Sequence, residues 1–112
     1  MKHNNVISFL ETADVMFSEI VYVDKRHNTE VTIFHLNDGR ELTRYVAIKD
    51  VFCVLPHDKF TCINKGLIVN KDYIKKINGI AFHVDVNGKD VRLYGRMKGV
   101  NQRNALKTEL GV

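Results

Sequence analysis

The sequence predicts a mainly β domain in which small helices serve as connectors. Three observations carry this expectation. Two tight-turn signals, Asn37-Asp38-Gly39 and Asn87-Gly88, each separate runs rich in β-branched and aromatic residues. Residues 80–86 alternate, with Ile80, Phe82, Val84 and Val86 on one face and Ala81, His83 and Asp85 on the other, as a half-buried strand requires. The stretches with helical spacing are short or carry a thin apolar stripe, so they belong between strands or on the surface.

Taken in order, Val6–Thr12 and Phe17–Asp24 read as two strands, each apolar and β-branched. The Asp38-Gly39 hairpin then joins residues 31–36 to residues 41–46. Ala47, Ile48, Val51, Phe52 and Leu55 recur at helical spacing, and Pro56, the only proline, stops that helix. Phe60–Asn64 reads as a strand and Asn70–Ile74 as a helical turn, with Asn70 as its structural cap. The Asn87-Gly88 hairpin joins residues 80–86 to residues 91–94. Arg96–Leu110 closes the chain as a helix whose stripe, Met97, Val100, Leu106 and Leu110, suits a surface position.

With 112 residues, 45% hydrophobic and 27% charged, the chain fits one globular domain, residues 1–112, without a linker or low-complexity tract. No apolar run approaches the roughly 18 residues of a membrane span. The polar start, Met1-Lys2-His3-Asn4-Asn5, does not resemble a signal peptide. Cys53 and Cys62 lack metal spacing and read as small buried hydrophobes in a reducing compartment, so a soluble cytoplasmic protein is expected. Charge is uneven: residues 1–56 hold six Lys+Arg against eight Asp+Glu, and residues 57–112 hold eleven against five. The halves therefore carry −2 and +6, and the basic half of a domain with pI near 9.1 suits a polyanionic partner. The bland alternative is a solvated Lys/Arg surface.

The stretch from Phe60 through Cys62-Ile63-Asn64-Lys65-Gly66, Ile68-Val69-Asn70 and Tyr73-Ile74-Lys75-Lys76-Ile77 resembles the signature of the LytTR family of bacterial DNA-binding domains. Phe17-Ser18-Glu19-Ile20-Val21-Tyr22-Val23-Asp24 is similar to the family's opening strand. The Asp38-Gly39 hairpin, the helix before Pro56, the Asn87-Gly88 hairpin and a basic segment at Arg96 follow in the family's order. The resemblance covers about residues 6–110. It implies an elongated arrangement of small β-sheets with a short C-terminal helix, whose loops enter successive major grooves. It also implies a transcriptional regulator, commonly the output half of a two-component response regulator, binding two repeated half-sites of double-stranded DNA as a homodimer. No cofactor is expected.

The resemblance places the DNA contacts at the tip Asn64-Lys65-Gly66 and at Arg96, with Lys98 as a further phosphate contact. Arg26 and His27, in the loop after the Phe17–Asp24 strand, match a more loosely aligned recognition loop. The family usually shows His, then Arg or Lys, then Ser at the tip. Here Lys65 keeps the cation, Asn64 offers an amide that both donates and accepts, and Gly66 lacks the hydroxyl. Cys62 stands where an Arg is frequent. Each residue has an ordinary reading as well: Lys65 as an exposed lysine, Asn64 as a turn former, Arg96 as a surface arginine.

Other chemistries find little footing. His3, His35, His57 and His83 show no ligand spacing, and there is no nucleophile elbow, phosphate-cradling glycine loop or close carboxylate pair. The chain is therefore read as neither an enzyme nor a metalloprotein. The principal rival is a protein-interaction module that docks an acidic partner on the basic half. A small enzyme or ligand-binding domain would need a deep pocket lined with polar groups to support it.

Overall fold

The computed structural model describes residues 2–97 and 100–112. Helix α1 (Lys2–Thr12) leads through a 3-10 turn at Phe17–Glu19 into β1 (Ile20–Lys25). The first hairpin, β2 (Val31–Leu36) and β3 (Glu41–Tyr45), is followed by helix α2 (Ile48–Val54). Next come β4 (Phe60–Asn64), β5 (Leu67–Asn70), a 3-10 turn at Lys71–Tyr73 and β6 (Ile74–Asn78). The second hairpin, β7 (Ala81–Val86) and β8 (Lys89–Tyr94), precedes helix α3 (Val100–Leu110). The strands form a five-stranded sheet, order β3-β2-β1-β5-β4, and a three-stranded sheet, order β6-β7-β8, with antiparallel pairing throughout.

The mainly β reading with connecting helices and a short C-terminal helix holds. Both hairpin turns take the backbone their residues favour: Gly39 at φ 91°, and Asn87 and Gly88 at 53° and 80°. The domain measures 35 × 29 × 26 Å, so its elongation is slight.

Five local expectations need correction. The closing helix, expected from Arg96, starts only at Val100, and Arg96 and Met97 precede it without helical structure. Val6–Thr12 lies in helix α1, because Val6, Phe9, Leu10 and Ala13 recur at helical spacing, and Val6 and Leu10 are buried. The Phe17–Asp24 strand starts only at Ile20, after the 3-10 turn. Ile80 precedes β7 and is 44% exposed, while Phe82 and Val84 on that face are fully buried. Finally, Cys53 and Cys62 are exposed. Cys53 misses the α2 face that buries Val51, and Cys62 lies on the edge strand β4.

The five-stranded sheet is covered on both faces, which sets up three layers. On one face, α1 and α2 close a core of Val6, Leu10, Val51 and Leu55 against Ile20, Val23, Phe34, Leu36, Phe60 and Ile68. On the other, Val21, Ile63, Leu67 and Val69 meet Ile74, Ile77, Phe82, Val84 and Leu93 of the second sheet, with Leu106 of α3. Strand β1 thus serves both cores. A register shift between Ile20 and Tyr22 puts Ile20 and Val23 on one face although they are three residues apart. The shift between Ile74 and Lys76 does the same for Ile74 and Ile77.

Polar ties hold the layers in register. Asn70, 1% exposed, donates from Nδ2 to the Ile20 carbonyl at 2.8 Å and accepts from Asp72 N–H at 3.0 Å. It is the structural cap that its position suggested. The Tyr73 hydroxyl donates to the Ser18 carbonyl and accepts from Asn37 Nδ2. Lys71 reaches Glu109 at 3.0 Å and fastens α3 to the body.

Candidate nucleic-acid interface

Three stretches far apart in sequence meet at one end of the five-stranded sheet. The first is the β4–β5 hairpin, where Asn64 pairs with Leu67 so that only Lys65 and Gly66 form the turn. Gly66 N–H donates to Asn64 Oδ1 at 2.9 Å, which tightens this tip and leaves Lys65 exposed at its apex. Asn64 therefore has the turn-forming job of its ordinary reading, and Oδ1 keeps a second lone pair.

The second stretch is the end of β1. The Lys25 side chain runs alongside Gly66. Beyond it, the β1–β2 loop is closed by Arg26 N–H donating to the Val31 carbonyl at 2.9 Å and by the Thr29 hydroxyl donating to the Arg26 carbonyl at 2.8 Å. Asn28 at φ 57° completes the reversal. Arg26 and His27 are exposed on this loop, flanked by Lys25 and Thr29, which line the shared groove; they do not line it themselves.

The third stretch follows β8. Gly95 N–H donates to the Ile80 carbonyl at 3.0 Å, and the Gly95 backbone packs onto Ile63, Asn64 and Leu67. That contact delivers Arg96 to the tip. Lys98 lies outside the described residues.

Together these stretches line one side of a groove of about 860 Å³, whose other wall is α2. Lys25, Lys49, Lys65 and Arg96 ring it, and Glu30 is the only carboxylate among its lining residues. Among the described residues no carboxylate forms an ion pair with Lys25, Lys65 or Arg96, whereas Lys59, Lys71 and Lys75 are paired with Asp72, Glu109 and Asp90. Unneutralised cations at one end make a positive field that favours a polyanion. Cys62, where a cation is frequent in the signature, also lines this groove, and desolvation pushes its thiol up. Lys25 and Lys49 were not singled out from sequence. Lys25 ends a strand beside the recognition loop, but nothing local marks Lys49.

Three of the histidines, His35, His57 and His83, have local partners. His35 stacks on Tyr22 at 3.9 Å with Nε2 2.8 Å from Asp24, and His83 lies 3.1 Å from Asp90. His57 stacks on Phe52 and contacts its carbonyl oxygen. Among the described residues no group of His, Cys, Asp and Glu is arranged to hold a metal.

A family model for the LytTr DNA-binding domain matches residues 11–89. The chain belongs to the LytTR family. Among solved structures, this LytTR domain is similar to the LytTr DNA-binding domain of a Bacillus cereus protein described as a methyl-accepting/DNA response regulator. The identity is 20%, the TM-score is 0.60, and the alignment covers 88% of this chain and 86% of that one. At that identity the likeness speaks for the fold. No curated protein matches. The match includes Asn64-Lys65-Gly66, the β1–β2 loop and α2, while Arg96 falls beyond it. The position of Arg96 at the tip thus rests on the Gly95 contact. No helix among the described residues is long and apolar enough to cross a membrane.

Proposed function

We propose that this LytTR domain binds double-stranded DNA sequence-selectively, as a bacterial transcriptional regulator and the output domain of a response regulator or a stand-alone regulator. The observation that carries it is the convergence of Lys25, Lys65 and Arg96 at one end of the sheet without paired carboxylates among the described residues. A hairpin tip two residues wide is slim enough to enter a major groove about 12 Å across. Lys65 at its apex reaches a base edge or a phosphate, Arg96 beside it offers the planar fork that pairs guanine, and Lys25 holds the backbone. Arg26 and His27 extend the contact along the duplex from the neighbouring loop, with Lys98 as a phosphate contact. Two protomers on repeated half-sites double this footprint. The action is binding alone, with no covalent step or cofactor.

Fluorescence anisotropy against a duplex selected from random DNA and against its scramble, at several salt concentrations, tests this. The selected duplex is expected to bind more tightly, with log affinity falling as log salt rises. Lys65→Ala and Arg96→Ala are each expected to cost roughly 1–3 kcal/mol on the selected duplex if they read bases. A residue that meets only phosphate instead flattens the salt slope by about one and weakens both duplexes alike. Equal binding to both duplexes by the unmodified domain would reject selectivity and favour the acidic-partner reading.

A further inference from the structure

The groove behind the tip carries more than the DNA reading uses. Ile48 and Phe52 of α2 and Ile68 of β5 form its apolar floor. The polar group in that floor is already spent, since the Thr32 hydroxyl, fully buried, donates to the Val46 carbonyl at 2.6 Å. Cys62 Sγ likewise contacts the Asn64 carbonyl oxygen. A guest's body would thus meet carbon and sulfur, while its charged end would meet cations at the rim. The volume of about 860 Å³ lies in the usual range for small-molecule sites.

We propose that this groove binds a small organic monoanion with an apolar body, in its simplest form a medium-chain carboxylate, and that occupancy opposes DNA binding. Charge selects the guest: four cations, Lys25, Lys49, Lys65 and Arg96, face one carboxylate, Glu30. A bare inorganic anion would leave the floor wet, and an apolar cation would meet like charge at every approach. A carboxylate drawn to Lys65 and Arg96 occupies the groups assigned above to DNA, so the antagonism rests on that reading, whereas binding to the groove does not. Linkage then requires DNA to weaken the carboxylate by the same factor.

Decanoate below its micelle-forming concentration is the probe, with decylamine and acetate as matched controls, titrated into the isotope-labelled domain by amide NMR. Saturable shifts confined to the groove segments around Lys25, Ile48, Cys53, Cys62 through Ile68 and Arg96, absent with both controls, are expected. Lys49→Gln, an exposed change at the rim, should weaken decanoate at least two- to threefold. Shifts that do not saturate, or that decylamine reproduces, overturn the site. In the anisotropy assay saturating decanoate is expected to raise the apparent Kd for the selected duplex several-fold. An unchanged Kd beside saturable shifts overturns the antagonism. Absence of selective DNA binding without decanoate counts against the DNA reading, and the NMR titration then judges the groove by itself.

Discussion

Gly95 and Asn64 lie so close that no side chain fits between them. A Cβ at Gly95 would stand 2.9 Å from Asn64 Nδ2 and 2.7 Å from Cγ2 of Ile63, a residue only 3% exposed. Neither neighbour has free room to retreat, because Asn64 is tied into its turn through Gly66 N–H and Ile63 is part of the core between the sheets. Gly95→Ala is therefore expected to destabilise the domain by about 1–3 kcal/mol, the usual range for overpacking. It should also weaken selective DNA binding, since the segment carrying Arg96 must move off the tip. Thermal unfolding and anisotropy on one preparation check both, and an unchanged Tm would show that Ile63 yields.

Asn70 ties the end of β5 away from the tip to β1. Its amide joins β1 to the start of the Lys71–Tyr73 turn through the Ile20 carbonyl and the Asp72 N–H. Asn70→Ala strands a carbonyl and an N–H where water is largely excluded, which costs about 1–3 kcal/mol per unsatisfied group. Asn70→Asp keeps the acceptor for Asp72 but loses the donor to Ile20, so it should not rescue stability. Urea unfolding of both variants tests this, and an aspartate as stable as the native residue would remove the Ile20 bond from the argument.

The parts of this fold legible in sequence are those set by local chemistry. Asn87-Gly88 and Asp38-Gly39 fix their turns by backbone preference, Pro56 ends α2, and Asn70 caps its own turn. What misled was decided by tertiary packing. Val6-Ile7 and Phe9-Leu10 have strand-forming side chains, yet their burial has helical period because α1 lies over the sheet. Ile74 and Ile77 face one core at a spacing of three because a bulge resets the alternation, which hides β6. Strand β5 is buried on both faces and shows no alternation at all. At the site, Lys65, Asn64 and Arg96 were readable as a group only through the family pattern. Lys25 joins them from the end of β1 beside the recognition loop, and Lys49 through the placement of α2, which no local signal announces.

Tyr22 gives a prediction in alkaline solution. Its phenol is pushed up to about 12, first by burial and then by the charges of Asp24 and Glu41. The fold thus favours the neutral phenol. This contribution to stability is complete below the ordinary tyrosine value near 10 and is lost as pH rises through 12. Absorbance at 295 nm should show a late ionisation step near pH 12 in the folded domain, absent from Tyr22→Phe. Denaturant should return that step to about 10. A wild-type titration with no late step would contradict the burial.

Gly66 offers a gain of function. The tip in this family usually ends in a serine, and here the hydroxyl is missing. Nothing in the geometry forbids it: a Cβ at Gly66 would lie 3.8 Å from Asn64 Oδ1 and 3.8 Å from Lys25 Cγ, ordinary contacts, and the backbone there is not left-handed. Gly66→Ser should therefore fold normally, and loss of glycine's freedom in the unfolded chain should add a few tenths of a kcal/mol. If the tip meets the duplex, the added hydroxyl makes one more hydrogen bond to a phosphate oxygen. A neutral donor releases no counterion, so affinity should rise several-fold while the salt slope stays as in the unmodified domain. A steeper slope would mean instead that Lys25 or Lys65 had been repositioned onto a phosphate. No change in either quantity would mean that position 66 faces solvent in the complex, and the tip assignment would then rest on Lys65 without its neighbour.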